Sequence, residues 1–410
     1  MSARFRWWAA VSAVAAAVLA SSIGAIPATA DSAVTRPADD PFYNGPPGWA
    51  GAEPGTVLRS RTVQLAPTAI PLPIQATQVL YRTTSQRGEP DATVATIIRP
   101  PLASTPPRLI SYQNAYDSLT PDCDPSYMLR GGGGGSLPDA VIIAGYLAAG
   151  FTVVVSDYEG TNLAYGAGRQ SGTATLDGIR AALHTLDAPT GTPVGVTGFS
   201  GGSIATEFAA ELAPTYAPEL NIIGTAAGGM PADMAATIDY VDGSPQWALV
   251  LPYVLQGAAR GFGLDLTPYL TDYGKQVMSQ ITDHCAATGP RYPGLRLSQL
   301  LLPQYQDYRA IPAFAAILSE NRMGSAGTPK APMIFGAGNV DGTGDGVIVA
   351  SGERALATDY CTRGLPVQYI EYPGSDHLTA GALFAPAAQA FLMARFAAAP
   401  VTGSCALLTH

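Results

Sequence analysis

The chain has 410 residues, 47% of them hydrophobic and 13% charged, which is too apolar for a disordered protein and ample for a sizeable core. A formal net charge of -9 opposes phosphate backbones and excludes nucleic acid as a natural partner. No compositional break separates independently folding units, so the composition reads as one large domain carrying an insertion.

Residues 1-30 follow the secretory pattern, with Arg4 and Arg6, an apolar run from Trp7 to Ala20, and Ala28-Thr29-Ala30 before Asp31. The run is shorter than the roughly 20 residues a bilayer span needs. Cleavage is therefore expected after Ala30 and the product is expected outside the cell, with the cell envelope as an alternative resting place. Removal of Arg4 and Arg6 takes the net charge from -9 to -11. Cys123, Cys285, Cys361 and Cys405 all follow the cleavage site, an even number in an exported chain, and predict two disulfides with the pairing left open. None of them shows C-x-x-C spacing, so no metal centre is expected.

Residues 31-70 are rich in Pro and Gly and lack periodicity, which predicts an extended arm. Gln75 to Thr83 and Thr93 to Ile98 flank Gln86-Arg87-Gly88-Glu89-Pro90 and read as a hairpin. From Arg108 onward, β-branched runs (Leu109 to Tyr112, Thr152 to Val155, Val194 to Thr197, Asn221 to Ala226) alternate with helical stretches (Ala140 to Ala149, Thr173 to Leu186, Ser203 to Leu212). Strands apolar throughout and alternating with helices predict a parallel sheet covered on both faces, an α/β class. Gly131 to Gly135 reads as a loop, without the Lys, Ser or Thr that a phosphate-binding loop requires.

The rhythm stops near residue 231. Residues 232-325 hold helical segments such as Trp247 to Gln256 and Ile311 to Leu318, and no strand pattern. Strands resume at Pro332 to Phe335 and Val367 to Tyr372, before a closing helix from Pro386 to Ala397. The expected organisation is an α/β core in two parts, 71-231 and 326-410, with a helical cap inserted between them.

Gly198-Phe199-Ser200-Gly201-Gly202 is the single G-x-S-x-G window of the chain. It falls between a strand and a helix, the context of a nucleophile elbow. There Ser200 is exposed on a tight turn, and the Gly201 N-H at the following helix N-terminus is a natural oxyanion donor. A serine hydroxyl needs a base. In this fold the base follows the nucleophile in chain order, which removes His184, and His410 is terminal. His284 sits in the insertion beside Cys285, whereas His377 follows a strand end in Gly374-Ser375-Asp376-His377, which makes it the candidate base. The acid that orients it comes from Asp341 or Asp345, with Asp345 preferred; Asp376 is adjacent to His377 in sequence and poorly placed to face it. A calcium loop at these aspartates would need further oxygen ligands that are missing.

These residues bring a resemblance into view. The chain is similar to the secretory lipase family, the Candida antarctica lipase A-like α/β-hydrolases, through Ser111-Tyr112-Gln113 with Tyr116-Asp117 before Asp122-Cys123, Ser156-Asp157-Tyr158-Glu159-Gly160, and Leu176-Asp177-Gly178-Ile179-Arg180. The Gly198 to Gly202 elbow, Ala217-Pro218-Glu219-Leu220-Asn221-Ile222, and Asp376-His377-Leu378-Thr379 complete the match. The resemblance implies an α/β-hydrolase fold with a mostly parallel sheet and a helical cap, and Asp345 as the triad acid. It further implies Asp117 as the second oxyanion-hole residue beside Gly201, and pairings of Cys123 with Cys285 and Cys361 with Cys405. Asp157, Glu159 and Asp177 are read as structural carboxylates that hold loops. Fungal members continue past the final strand with a tail over the active site, whereas this sequence stops at His410, so their mode of substrate access is not carried over.

The expected activity is two-step acyl transfer from a lipid ester, that of a triacylglycerol lipase working at a lipid-water interface with no cofactor. A carboxylesterase or acyltransferase, a peptidase, and a non-catalytic lipid-binding envelope module are the alternatives, and the sequence assigns no oligomeric state.

Overall fold

In the computed structural model, which describes residues 34-133, 137-401 and 403-408, nine strands form one mixed sheet. They are β1 Val57-Gln64, β2 Gln75-Thr84, β3 Pro90-Ile98, β4 Leu109-Gln113, β5 Thr152-Ser156, β6 Pro193-Phe199, β7 Asn221-Gly228, β8 Met333-Asn339 and β9 Val367-Pro373, in spatial order β1-β2-β3-β5-β4-β6-β7-β8-β9. The pairs from β1 to β3 and the β3-β5 pair are antiparallel; every pair from β5 to β9 is parallel. The residues of the expected signal peptide, Gly134, Gly135 and His410 lie outside the described residues.

The helices that cover the sheet are α1 Leu137-Ala148, α2 Gly168-Thr185 and α3 Gly201-Tyr216, then α4 Met234-Val241, α5 Val250-Phe262, α6 Asp272-Ile281 and α7 Pro312-Glu320, and finally α8 Ala350-Thr362 and α9 His377-Phe396. Alternation along the central strands buries both faces. Ile110, Val153 and Val155 pack with Ile143 and Tyr146 of α1 and Phe384, Phe391 and Leu392 of α9. Leu109, Val154, Val194 and Val196 pack with Leu176 and Ile179 of α2 and Ala209 of α3. Each aliphatic side chain so enclosed stabilises the fold by about 1.5-3 kcal/mol, which is why these strands read as unbroken apolar runs.

Two elements differ from the sequence reading. Val57-Gln64, within the segment read as an arm, is the edge strand β1. Its sequence VLRSRTVQ carries no clean alternation because an edge strand is half solvated, and Arg59 and Arg61 are the kind of charge that blunts an open edge. Arg61 is held by Asp40 at 2.6 Å and lies 3.9 Å over the Phe42 ring. The closing helix starts at His377; Pro386, read as its first residue, lies inside α9.

Between β7 and β8 the chain forms α4 to α7, joined by shorter turns, and no named strand. Their apolar faces merge into one cluster with Phe335 of β8 and Leu356 and Tyr360 of α8. Disulfides join Cys123 to Cys285 and Cys361 to Cys405, the pairings the resemblance implied. The first ties the loop after β4 to this helical segment.

The carboxyls of Glu207 and Glu211, one turn apart on α3, lie fully buried, each with an oxygen within hydrogen-bond distance of the Tyr360 hydroxyl. Glu211 also accepts the backbone N-H groups of Gly324 and Ala326, while the outer oxygen of Glu207 has no partner. Burial and then the neighbouring Glu211 hold the Glu207 carboxyl well above the ordinary carboxylate range, with Arg363 opposing. An acid raised in the folded state binds more protons folded than unfolded, so its contribution to stability is lost as pH climbs above the unfolded value of about 4.3. Glu207→Gln, neutral at every pH, is expected to flatten the fall in urea-unfolding free energy as pH rises above about 4.3. A slope equal to that of wild type would place the proton elsewhere.

Candidate active site

The β6-to-α3 turn puts Ser200 at φ 56° and ψ -127°, a region that a side-chain-bearing residue occupies only when its surroundings force it. Ser200 N-H donates to Gly228 O at 2.9 Å and Ser203 N-H to Ser200 O at 2.8 Å, pinning both sides of the turn. The glycines answer to close approach. A Cβ on Gly202 would strike the carbonyl of Gln113, and one on Gly201 would strike Asp117 Oδ1.

His377 heads α9. Asp376 is that helix's N-cap and accepts from Thr379 N-H at 2.8 Å, which explains a carboxylate beside the histidine that does not face its ring. The imidazole is buried, 4% exposed. Its Nε2 lies 2.7 Å from Ser200 Oγ, and its Nδ1 lies 2.7 Å from Asp345 Oδ2. The other oxygen of Asp345 accepts the N-H groups of Val347 at 2.9 Å and Ile348 at 2.7 Å, and His377 N-H donates to the Asp345 carbonyl at 2.9 Å. The Phe199 ring, 5.1 Å away between centroids, and the Trp247 ring, 5.6 Å away and edge-on, enclose the imidazole.

Asp341 turns elsewhere. Its Oδ1 accepts the N-H groups of Thr343 and Gly344, and its Oδ2 accepts from the Tyr240 hydroxyl at 2.8 Å. Those donors hold its carboxyl below the ordinary range. His184 and His284 are exposed; His284 accepts Leu119 N-H at its carbonyl and donates its N-H to Ile281 O, and neither ring has a hydrogen bond to Ser200 or Asp345.

Asp117 lies against Gly201 with φ 42°. Its Oδ1 is sealed from solvent and has no hydrogen-bond partner, and burial pushes the carboxyl up to about 6, opposed by His377. Its carbonyl accepts Ala286 N-H at 3.0 Å, beside the Cys123-Cys285 bridge. Glu159, fully buried, accepts Ser118 N-H at 3.1 Å, and Asp157 accepts Ser126 N-H at 2.8 Å and its hydroxyl at 2.5 Å. Both hold the loop that carries Asp117. Asp177 instead takes side-chain donors, Thr83 Oγ1 at 2.9 Å, Tyr216 Oη at 2.8 Å and Arg180, and joins α2 to β2 and α3.

A serine hydroxyl in contact with an imidazole whose far nitrogen meets a carboxylate is equipped for nucleophilic acyl transfer. The head of α3 at Gly201 and the Asp117 loop lie against each other beside the Ser200 turn. Among the described residues, no cluster of His, Cys, Asp and Glu fits a metal ion.

Residues 137-404 match the family model described as Secretory lipase. The chain is 36% identical to a probable inactive lipase of Mycobacterium tuberculosis, over 89% of this chain and 84% of that protein. It belongs to the secretory lipase family. A secreted triacylglycerol lipase of Malassezia globosa is 40% identical over 51% of this chain and 47% of its own length. The solved structure of Candida antarctica lipase A superposes with a TM-score of 0.81 at 28% identity, covering 91% of this chain and 89% of that one. Membership assigns the chain to the lipid ester hydrolases, on an α/β-hydrolase fold. The likeness to a relative described as probably inactive makes the Ser200-His377-Asp345 contacts the features of most consequence in this member.

Phe199, Tyr240 and Trp247 are contacts that the sequence did not single out for the site. Phe199 is the variable position of the elbow motif, and Tyr240 and Trp247 reach the site only through the folding of the segment between β7 and β8.

Proposed function

We propose that this protein is an exported triacylglycerol lipase in which Ser200 is the nucleophile, His377 the general base and Asp345 the acid that fixes the tautomer of His377. The observation that carries the reading is the unbroken run of 2.7 Å contacts from Ser200 Oγ through His377 to Asp345 at a strained strand-to-helix turn. Ser200 Oγ attacks the ester carbonyl as its proton passes to His377 Nε2, and the backbone N-H groups of Gly201 and Asp117 receive the oxyanion. Collapse breaks the bond to the alcohol, which leaves with the proton from His377. Water, deprotonated by His377, then cleaves the acyl-Ser200 ester, releases the fatty acid and restores the serine. No cofactor enters any step.

An apolar cleft in the segment 232-325, which we read as a cap over the core, supports a lipid acyl chain as substrate. It is lined by Met234, Ile238, Val254, Leu266, Phe314 and Leu318 among others.

The test measures fatty-acid release from an emulsified long-chain triglyceride and from a dissolved short-chain ester, with and without a serine-directed phosphonate. Turnover of both, abolished by the phosphonate, is the expected result. Turnover of the dissolved ester alone would make the protein a carboxylesterase, and turnover of neither would overturn the reading.

A further inference from the structure

The loop that supplies Asp345 is rich in glycine and closes on itself through the side chains of Asp341 and Asp345. Residues 340-348 join β8 to the turn before α8 and contain Gly342, Gly344 and Gly346, two of them in the left-handed region at φ +89° and +99°. Within the loop, Val340 N-H donates to Gly344 O at 2.7 Å and Asp345 N-H to Ile348 O at 3.1 Å. A chain so rich in glycine has many backbone states to lose, and contacts from outside the loop restrict them further.

Those contacts come from the segment between β7 and β8. The Tyr240 hydroxyl, at the end of α4, donates to Asp341 Oδ2 at 2.8 Å and accepts Gly346 N-H at 3.1 Å. It bridges the loop across Asp345. In the turn that follows α4, the Trp247 indole lies over Gly346, 3.4 Å from where a Cβ would stand, and its ring meets the His377 imidazole edge-on at 5.6 Å. One stretch of chain therefore touches the acid's loop on both sides and the base itself.

This stretch is fastened to the helical segment. Asp239 of α4 accepts from the Tyr308 hydroxyl at 2.9 Å and pairs with Arg309, and Asp242 accepts Leu297 N-H at 2.5 Å. Any displacement of the helices carries Tyr240 and Trp247 with it.

We propose that Tyr240 and Trp247 are positioning residues that clamp the Asp345-His377 pair, so that seating of the helical segment and alignment of the base are one event. The proposal rests on the triad reading given above. Neither residue takes part in bond making. Tyr240 ties together the residues on either side of Asp345, Trp247 backs the ring, and a cap lifted from the core leaves the base unsupported.

The experiment uses the full chain and a dissolved short-chain ester, 4-nitrophenyl butyrate, so that interface effects do not enter. Kinetics of wild type, Tyr240→Phe, Trp247→Ala and Trp247→Phe are followed across pH, with competent serines counted by stoichiometric phosphorylation with diethyl 4-nitrophenyl phosphate. Per competent site, Tyr240→Phe and Trp247→Ala are expected to lower kcat about tenfold with KM within about twofold, the signature of a misplaced catalytic group. Trp247→Phe, which keeps a ring against the imidazole, is expected to recover most of the rate.

The acid limb of kcat/KM should move to lower pH in Tyr240→Phe, because a loosened Asp345 stabilises the imidazolium less. Asp117 and Asp376, the other carboxyls whose charge acts on His377, are not held by the clamp. A rise in KM at constant kcat would make the pair a substrate wall and overturn the proposal, as would an unchanged kcat and pH profile. Hydrolysis surviving in Ser200→Ala would strike at the triad reading instead, whatever Tyr240→Phe does.

Discussion

Ser200→Ala is expected to lower kcat for ester hydrolysis by about 10⁴-fold or more, with the thermal midpoint moved by only a few degrees. The size of the loss follows from what the hydroxyl does, since removing the nucleophile of a triad leaves only the rate that oxyanion donors and binding supply to water. The small structural effect follows from the site. Alanine fits the space of Ser200 Cβ, the strained φ of 56° is set by the Gly228 and Ser203 backbone bonds rather than by the hydroxyl, and Oγ contributes one contact, to His377 Nε2. The measurement is steady-state release of 4-nitrophenol alongside a thermal melt. A wild-type protein no faster than Ser200→Ala would align this chain with its probable inactive relative despite the contacts, and a mutant that also fails to fold would point to Ser200 as a structural residue.

Much of this site was legible in the sequence because its signals are local. The elbow announces itself in five residues, and its meaning depends only on a strand before and a helix after, both of which carried strong periodicity. His377 could be reached by chain order and by its place after a strand. Family membership and the α/β-hydrolase sheet likewise followed from motifs and from the alternation of apolar strands with helices. The signals that failed are those set by the third dimension. β1 hid in a Pro- and Gly-rich stretch because an edge strand need not alternate. Pro386 looked like a helix start although α9 already begins at His377, capped by Asp376. Asp341 and Asp345 stand four residues apart in one glycine-rich loop, and nothing in their spacing says that Val347 and Ile348 turn their N-H groups toward Asp345 while Thr343 and Gly344 serve Asp341. Tyr240 and Trp247 lie over a hundred residues before His377 and meet the site through a fold that one sequence does not spell out.

The difference between those two aspartates gives the second large effect. Asp345→Asn is expected to lower kcat by about 10⁴-fold, while Asp341→Asn stays within about threefold of wild type, KM being little changed in either. In Asp345→Asn the side-chain oxygen keeps its place before the Val347 and Ile348 N-H groups, since an amide nitrogen there would face two donors. The amide NH₂ is then directed at His377 Nδ1, where Asp345 Oδ2 now accepts at 2.7 Å. A donor opposite Nδ1 forces that nitrogen to accept and moves the ring proton to Nε2, the nitrogen facing Ser200 Oγ, so the imidazole can no longer take the serine proton. The geometry survives and the base is lost. Asp341→Asn meets no such conflict, because its oxygen still accepts from Thr343 and Gly344 and its NH₂ can donate to the Tyr240 hydroxyl in place of the present bond. Kinetics of the two variants, with the imidazole N-H resonances followed by NMR, would separate a tautomer effect from collapse of the loop. Equal losses in both would mean that the loop as a whole, rather than the Asp345 carboxylate, sets the rate.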